Sequence, residues 1–325
     1  MSSSLNRYQE WIEKEIKKQK YGKEPISLYE PIRYLMGLGG KRLRPMLTML
    51  AYGLFKNDPR TIVNYAVAVE AFHNFTLMHD DIMDKAPLRR GKATVHKKWN
   101  VNTAILSGDV MLVKVYDMLL ALDPSKLTKV LRAFNQCAAE VCEGQQWDME
   151  FEKEKTVTEA QYINMIKLKT AVLLGFCLEF GGILANASDE DCRALRNFGI
   201  NIGIGFQLKD DLLDAYADPK KFGKQVGGDI IANKKTFLLI KALEKVKGKQ
   251  KTELDRWLAA KQFIKKEKVE AVRSLYNTLG IAFLTEKKVD HYFDKGFKNL
   301  EKVSCTEENK VNLKAFTESL IGRQS

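Results

Sequence analysis

The sequence predicts an all-α fold, and three observations carry that prediction. Apolar residues recur with a helical period along most of the chain. No stretch alternates with period two for long enough to make a strand. Turn residues are scarce: 21 glycines and 7 prolines in 325 residues, with no proline after Pro219. Long helices tolerate that composition, whereas a sandwich of many short strands needs more turn residues. Hydrophobic residues at 45% and charged residues at 29% have the balance of a soluble globular protein. Neither a composition shift nor a Pro/Ser-rich linker divides the chain, so a single helical domain over residues 1–325 is expected.

The elements follow in order. Leu5 to Lys20 is amphipathic, with Leu5, Tyr8, Trp11, Ile12 and Ile16 on one face. A short helix spans Ser27 to Met36, and Gly37-Leu38-Gly39-Gly40 is a flexible break. Pro45, in Lys41-Arg42-Leu43-Arg44-Pro45, suits the first turn of a helix running to about Phe55. Asp58-Pro59 opens the next element. Apolar periodicity then runs from Thr61 to Asp84, where Ala86-Pro87 stops it, and Leu88 to Lys92 is a basic loop. Helices are expected over Thr103 to Leu122, from a Ser125 cap to about Glu152, from Thr158 to Gly181, and from Ser188 to near Asp214. Thr158-Glu159-Ala160-Gln161 has the capping-box pattern. Tyr216 to Gly228 is a loop. The remainder is helical, with breaks near Lys247 to Lys251, Lys265 to Lys268 and Ser304 to Thr306.

Several function classes lose support here. Met1 to Lys20 has no apolar core of a secretory signal. The most apolar stretch, Ala171 to Ala187, is interrupted by Glu179 and Gly181-Gly182 and reads as a buried helix, not a membrane span. The 5 cysteines show no CxxC spacing, which suggests neither a zinc site nor a disulfide framework and fits a reducing cytoplasm. Net charge is +12. Most of the lysines read as a solvated surface, and no strip interleaves basic residues with exposed aromatics as a nucleic-acid binder would. A small polyanion remains as the partner that the charge suggests.

The chemistry concentrates in two segments of the form D-D-x-x-D, Asp80-Asp81-Ile82-Met83-Asp84 and Asp210-Asp211-Leu212-Leu213-Asp214. Positions i and i+4 share a helix face, so Asp80 stacks with Asp84 and Asp210 with Asp214. Like charges at that spacing weaken a helix, and doing so twice points to a bound cation. All-oxygen ligands favour a hard divalent ion, and Mg²⁺ commonly bridges carboxylates to a phosphate. Basic residues interrupt the apolar runs nearby: Lys41, Arg44, Arg89, Arg90, Lys169, Lys224 and Lys234. A mid-helix lysine such as Lys169 either snorkels or has an anion to meet. Acid clusters for metal and cations for phosphate oxygens together describe a diphosphate site.

At these residues the sequence resembles the trans-isoprenyl diphosphate synthases of the polyprenyl synthetase family, over about Gly39 to Thr236. The matching pieces are Gly39-Gly40-Lys41-Arg42-Leu43-Arg44-Pro45, His73 with His79 to Asp84, Leu88 to His96, Ser107-Gly108-Asp109, Gly144-Gln145, Lys169-Thr170, Phe206 to Asp214, Gly223-Lys224, and Asp229 with Lys234. The resemblance implies an isoprenoid synthase helical bundle around a central active-site cavity. It implies a short-chain, farnesyl or geranylgeranyl type of enzyme that condenses isopentenyl diphosphate with an allylic diphosphate (dimethylallyl, geranyl or farnesyl).

By that resemblance Asp80, Asp84 and Asp210 bind Mg²⁺, three ions with substrate present, and Asp81, Asp211 and Asp214 support them. Arg89, Lys169, Thr170, Gln207, Lys224 and Lys234 complete the allylic diphosphate site; Lys41, Arg44, His73 and Arg90 hold isopentenyl diphosphate. Phe75, with Thr76, limits product length. By helical geometry Thr76 shares the stripe of Asp80 while Phe75 is displaced, so spacing alone does not aim Phe75 at a pocket. Relatives are commonly homodimers, and no membrane insertion or nucleic-acid partner is expected. Two departures stand out: Asn233 where the family often has Gly, and a C-terminus, Ile321 to Ser325, with one basic residue.

Other readings compete. A His-Asp phosphohydrolase would use His79-Asp80, but Lys209 precedes the second cluster and only four histidines are present. A class I terpene cyclase shares the first aspartate motif, yet it usually has a mixed second motif and little need for Lys41, Arg44 and Arg90. A non-catalytic subunit of a heteromeric synthase resembles the enzyme with degraded aspartate motifs, and both motifs are intact here.

Overall fold

Helix-forming periodicity becomes helix almost everywhere in the structure, a computed structural model that describes residues 3–217 and 227–322. The first elements are α1 (Ser3–Lys18), α2 (Ile26–Gly37), α3 (Leu43–Tyr52), a 3₁₀ turn (Pro59–Ile62) and α4 (Val63–Met83). Strands β1 (Leu88–Arg89) and β2 (Lys92–Ala93) follow, then α5 (Val95–Lys98), α6 (Val101–Leu120) and α7 (Pro124–Lys153). Next come α8 (Glu159–Ile166), a π-helical turn (Lys167–Ala171), α9 (Val172–Leu184) and α10 (Asp189–Tyr216). The chain ends with α11 (Gly228–Ile231), α12 (Phe237–Lys245), α13 (Gly248–Ala259), α14 (Lys265–Thr278), α15 (Ile281–Glu301) and α16 (Glu307–Ile321). Among the described residues no helix is long and apolar enough to cross a membrane.

Local chemistry explains the boundaries that the sequence placed well. The capping box at Thr158 is formed: its hydroxyl accepts from the Gln161 amide while the Gln161 side chain accepts from the Thr158 amide. Ser188 accepts from the Asp191 amide at 3.0 Å at the start of α10. Three expectations are corrected. Asp123, not Ser125, meets the first turn of α7, accepting from the Ser125 amide at 2.8 Å. The stretch Lys265 to Lys268 is the start of α14 and not a break, and Lys268 is fully buried. The basic loop is a minimal hairpin, Leu88 opposite Ala93 and Arg89 opposite Lys92. Its two turn residues, Arg90 and Gly91, have φ of 51° and 74°, the left-handed pair that a type I′ turn requires.

The described structure divides into two compact units. The first comprises Met1–Gln136, Phe176–Arg196 and Val303–Phe316. Its organising element is α4, which packs against α1, α3 and α6. Ala66, Val67, Ala68, Val69, Ala71 and Phe72 are all buried, with Glu70 a buried charge among them, so this stretch of α4 is enclosed on every side. Aromatic rings fill the space beside it: Phe72 meets Phe134 edge-on at 5.0 Å, and Phe134 meets Phe176 at 5.7 Å. The second unit comprises Cys137–Gly175, Asn197–Lys302 and Thr317–Ser325. Leu238, Leu239 and Ala242 of α12, Leu254 of α13, and Val272, Leu275 and Tyr276 of α14 share one core there. Glu159 accepts from Lys241 and Lys288, both at 2.6 Å, and ties α8 to α12 and α15.

Candidate functional site

In the first unit the aspartates occupy the last turn of α4, with Asp84 as the C-cap. This is the negative end of the helix dipole, so three carboxylates there raise an already unfavourable potential. Asp81 is buried and answered by Arg89, whose Nε and Nη2 each donate to one carboxylate oxygen at 2.7 Å. The bidentate geometry is the strong form of such a pair. Asp80 lies 3.9 Å from the same guanidinium, and Asp84 is exposed. The chain then reverses: Lys85 takes φ 52°, its amide donates to the Ile82 carbonyl at 3.1 Å, and the Ala86 amide donates to that of Asp81 at 3.0 Å. That is a Schellman ending, and it delivers the Arg89–Arg90 hairpin back beside the aspartates.

The cations of this unit converge on His73, also on α4. Burial, and then the guanidinium groups of Arg44, Arg90, Arg89 and Arg42, push its imidazole pKa well down, so it is neutral at physiological pH. Arg90 donates to the Gly39 carbonyl, which seats it on the Gly39–Gly40 loop. Lys41 is exposed on that loop, and Arg44 is half-buried in the first turn of α3. Arg42, unassigned by sequence, is the residue that shapes the loop. It is buried with φ 47° and pairs with Glu13 at 2.7 Å and Glu70 at 2.8 Å, and Nη2 donates to the Met36 carbonyl at 2.9 Å. Concentrated guanidinium charge around a neutral imidazole suits a phosphate group. Phe75 stacks edge-on against His79 at 4.9 Å, and Thr76 donates its hydroxyl to the His73 carbonyl.

In the second unit Lys169 and Thr170 lie within the π-helical turn, not in a continuous helix as expected. Such turns are uncommon and frequently mark functional positions. Gly144 makes this one possible, because a Cβ there would meet the Lys169 amide nitrogen at 2.1 Å. Lys169 donates to Asp148 of α7, and Lys234 lies 3.9 Å from the same carboxylate. Burial opposes the charge on Asp148, but the two lysines outweigh it and hold its pKa below the usual range. Thr170 donates to Gln207 at 3.2 Å, and Gln207 donates to Asp211 at 3.0 Å.

Asp211 is buried and also accepts from the Tyr162 hydroxyl. Burial, then the nearby charge of Asp229, pushes its carboxyl up to about 8, although both hydrogen bonds act the other way. Asp210 and Asp214 are half-buried near the C-terminal end of α10. Asp214 accepts from the Asp229 amide at 2.9 Å, which makes it a cap for the first turn of α11. Lys224 and residues 323–325 lie outside the described residues.

Asp148, Tyr162, Asp229 and Arg42 are the residues that sequence reasoning left unassigned. Arg42 and Asp229 fall within segments that resemble the family but were given no role there, whereas Asp148 and Tyr162 act through contacts that no local pattern shows. Among the described residues no three His, Cys, Asp or Glu side chains converge into a preformed cage. Mg²⁺ typically takes one or two carboxylates and completes its shell with phosphate and water, so aspartates at two negative helix ends have suitable chemistry for it.

Residues 25–279 match the polyprenyl synthetase family. The chain is 44% identical over 223 residues to a geranylgeranyl diphosphate synthase of Methanosarcina mazei, covering 68% of this chain and 69% of that one. It is 36% identical over 294 residues to a geranylgeranyl pyrophosphate synthase of Geoglobus acetivorans, covering 90% and 88%. A crystal structure of a geranylgeranyl pyrophosphate synthase superposes with a TM-score of 0.94 at 44% identity, covering 100% of both chains. The chain belongs to the polyprenyl synthetase family.

Proposed function

We propose that the chain is a Mg²⁺-dependent transferase that condenses isopentenyl diphosphate with an allylic diphosphate, head to tail (1′-4), to give a short-chain trans-polyprenyl diphosphate of C15–C20. The observation that carries this reading is the set of guanidinium groups around neutral His73. A terpene cyclase, which handles one diphosphate, has little use for that second anion site. The intact aspartates of both clusters weigh against a non-catalytic subunit.

Asp80, Asp84 and Asp210 would hold Mg²⁺, three ions with substrate bound, and the metal would neutralise charge developing on the leaving diphosphate. Lys169, Thr170, Gln207, Lys224, Lys234 and Arg89 would bind that diphosphate; Lys41, Arg44, His73 and Arg90 would bind isopentenyl diphosphate. The allylic C–O bond breaks with its electron pair leaving on diphosphate. The double bond of isopentenyl diphosphate then supplies the pair for the new C–C bond. A proton is then lost from the adjacent carbon, and an oxygen of the departed diphosphate would accept it. Cations fixed before the reaction favour this ionisation because they do not reorganise during it.

Residues 1–325 would act as one catalytic domain in the cytoplasm and as a homodimer. Leu106, Val113 and Leu120 of α6 are 57%, 58% and 57% exposed and repeat at helical spacing, which supports a self-association face. The test is incubation with Mg²⁺, isopentenyl diphosphate and a C5, C10 or C15 allylic diphosphate, followed by product-length analysis. Elongation to C15–C20 is expected, and no elongation with any starter overturns the proposal. In the same assay Phe75→Ala should lengthen the product; an unchanged length removes Phe75 as the limit.

A further inference from the structure

One buried ammonium in the second unit lacks a counter-ion. Lys268, in the first turn of α14, is fully buried, and no carboxylate among the described residues pairs with it. Burying an ammonium is costly unless its donors are met, and the positive end of a helix dipole is a poor place for a cation. Burial accordingly lowers its pKa. Its three donors are nevertheless answered. Nζ donates to Asn233 Oδ1 at 2.6 Å and to the Ile231 carbonyl at 3.4 Å, and it lies 4.2 Å from the centre of the Phe263 ring.

Two of these partners belong to one feature, the end of α11. Ile231 is the last residue of that helix, and its carbonyl lies at the negative end, where a cation is favoured. Asn233 follows with φ 54°. Its amide donates to the Ile230 carbonyl at 3.2 Å, and the Lys234 amide donates to that of Asp229 at 2.9 Å, a second Schellman ending. The left-handed conformation suits glycine best; asparagine adopts it at a lower cost than other residues with a Cβ, though not freely. Here the side chain is gripped on both sides, because Asn233 Nδ2 also donates to the Leu258 carbonyl at 3.0 Å. Lys234 is the next residue.

We propose that Lys268 is a positioning residue: it pins the left-handed turn at Asn233 and thereby sets the direction in which Lys234 meets a diphosphate. The inference rests on the reading above that Lys234 binds the allylic diphosphate, and it assigns Lys268 no contact with substrate. Glycine takes such a turn without an anchor, so the dependence on Lys268 belongs to the asparagine.

The experiment compares wild type, Lys268→Met, Asn233→Gly and the double variant. Lys268→Met keeps the side-chain length and loses every donor. Its KM for the allylic diphosphate should rise about five- to tenfold with the KM for isopentenyl diphosphate unchanged, a loss of polar contacts on the order of 1 kcal/mol converted at tenfold per 1.4 kcal/mol. Asn233→Gly alone should stay near wild type, and adding it to Lys268→Met should restore the allylic KM to within about twofold. An unchanged KM in Lys268→Met, or a double variant no better than the single one, overturns the proposal, since a packing role would lower both variants alike. Lys268→Gln, which still donates to Asn233, replaces the methionine variant if that protein does not fold. If wild type elongates no substrate, the reading of the site fails. Affinity for inorganic diphosphate with Mg²⁺ is then compared across the same proteins, and equal affinities overturn the role of Lys268.

Discussion

The two D-D-x-x-D segments are alike in sequence and opposite in how their buried middle aspartate is accommodated. Asp81 meets a bidentate guanidinium. Asp211 meets only uncharged donors, the Tyr162 hydroxyl and the Gln207 amide, and faces the charge of Asp229. One is balanced by a cation; in the other, with no metal bound, burial and Asp229 outweigh Lys234 and raise the carboxyl to about 8, which favours its neutral form at pH 7. A motif therefore specifies where carboxyl groups stand along a helix, while their surroundings decide which of them carry charge.

The comparison can be broken first on activity. Asp80→Asn and Asp210→Asn should each lower kcat/KM by roughly 10²–10³-fold, the scale for losing one preorganised charge-stabilising group. Asp211→Asn should lose about tenfold or less, because asparagine resembles the neutral carboxyl already present. Equal losses in Asp210→Asn and Asp211→Asn, measured in steady state, would remove the distinction between the two positions.

Stability sharpens it next. Arg89→Met leaves a buried carboxylate unpaired and should cost about 3 kcal/mol, whereas Tyr162→Phe removes one hydrogen bond and should cost about 1–2 kcal/mol. Urea unfolding with metal chelated measures both, and a larger loss in Tyr162→Phe would reverse the contrast. The pH dependence follows from the same asymmetry. Asp211 has a raised folded pKa, so its contribution favours folding least at high pH: stability falls as pH rises from near 4 through about 8. Asp211→Asn should flatten that part of the profile in thermal unfolding with metal chelated. An unchanged slope would mean that Asp211 is charged in the folded protein.

The smallest effect concerns the two left-handed turns that follow α4 and α11. Lys85 is exposed, so Lys85→Gly should stabilise by about 1 kcal/mol. Asn233 tolerates the conformation and holds two side-chain hydrogen bonds, so Asn233→Gly should change stability little. Matching gains at both sites, read from unfolding midpoints, would show that the Asn233 side chain contributes nothing.

The sequence by itself determined what depends on neighbours a few residues apart. Helical periodicity and scarce turn residues gave the all-α fold, and the Thr158 box and the helix start at Ser188 were legible because the hydrogen bonds there close within three residues. The aspartate pairs were legible for the same reason, at spacing i and i+4. Tertiary structure alone decided the pairings. The run Lys265 to Lys268 reads as a break between helices, yet it opens α14 and one of its lysines is buried because its partners come from α11 and its neighbours. Lys169 reads as a mid-helix lysine, yet it lies in a π-helical turn that Gly144 admits and meets Asp148. Asp81 and Asp211 are the same letter in the same motif, and only the groups folded against them give one a cation and the other a proton. The physical reason is range: helix formation and capping are local, while burial and charge pairing depend on which distant segments exclude water from a given side chain.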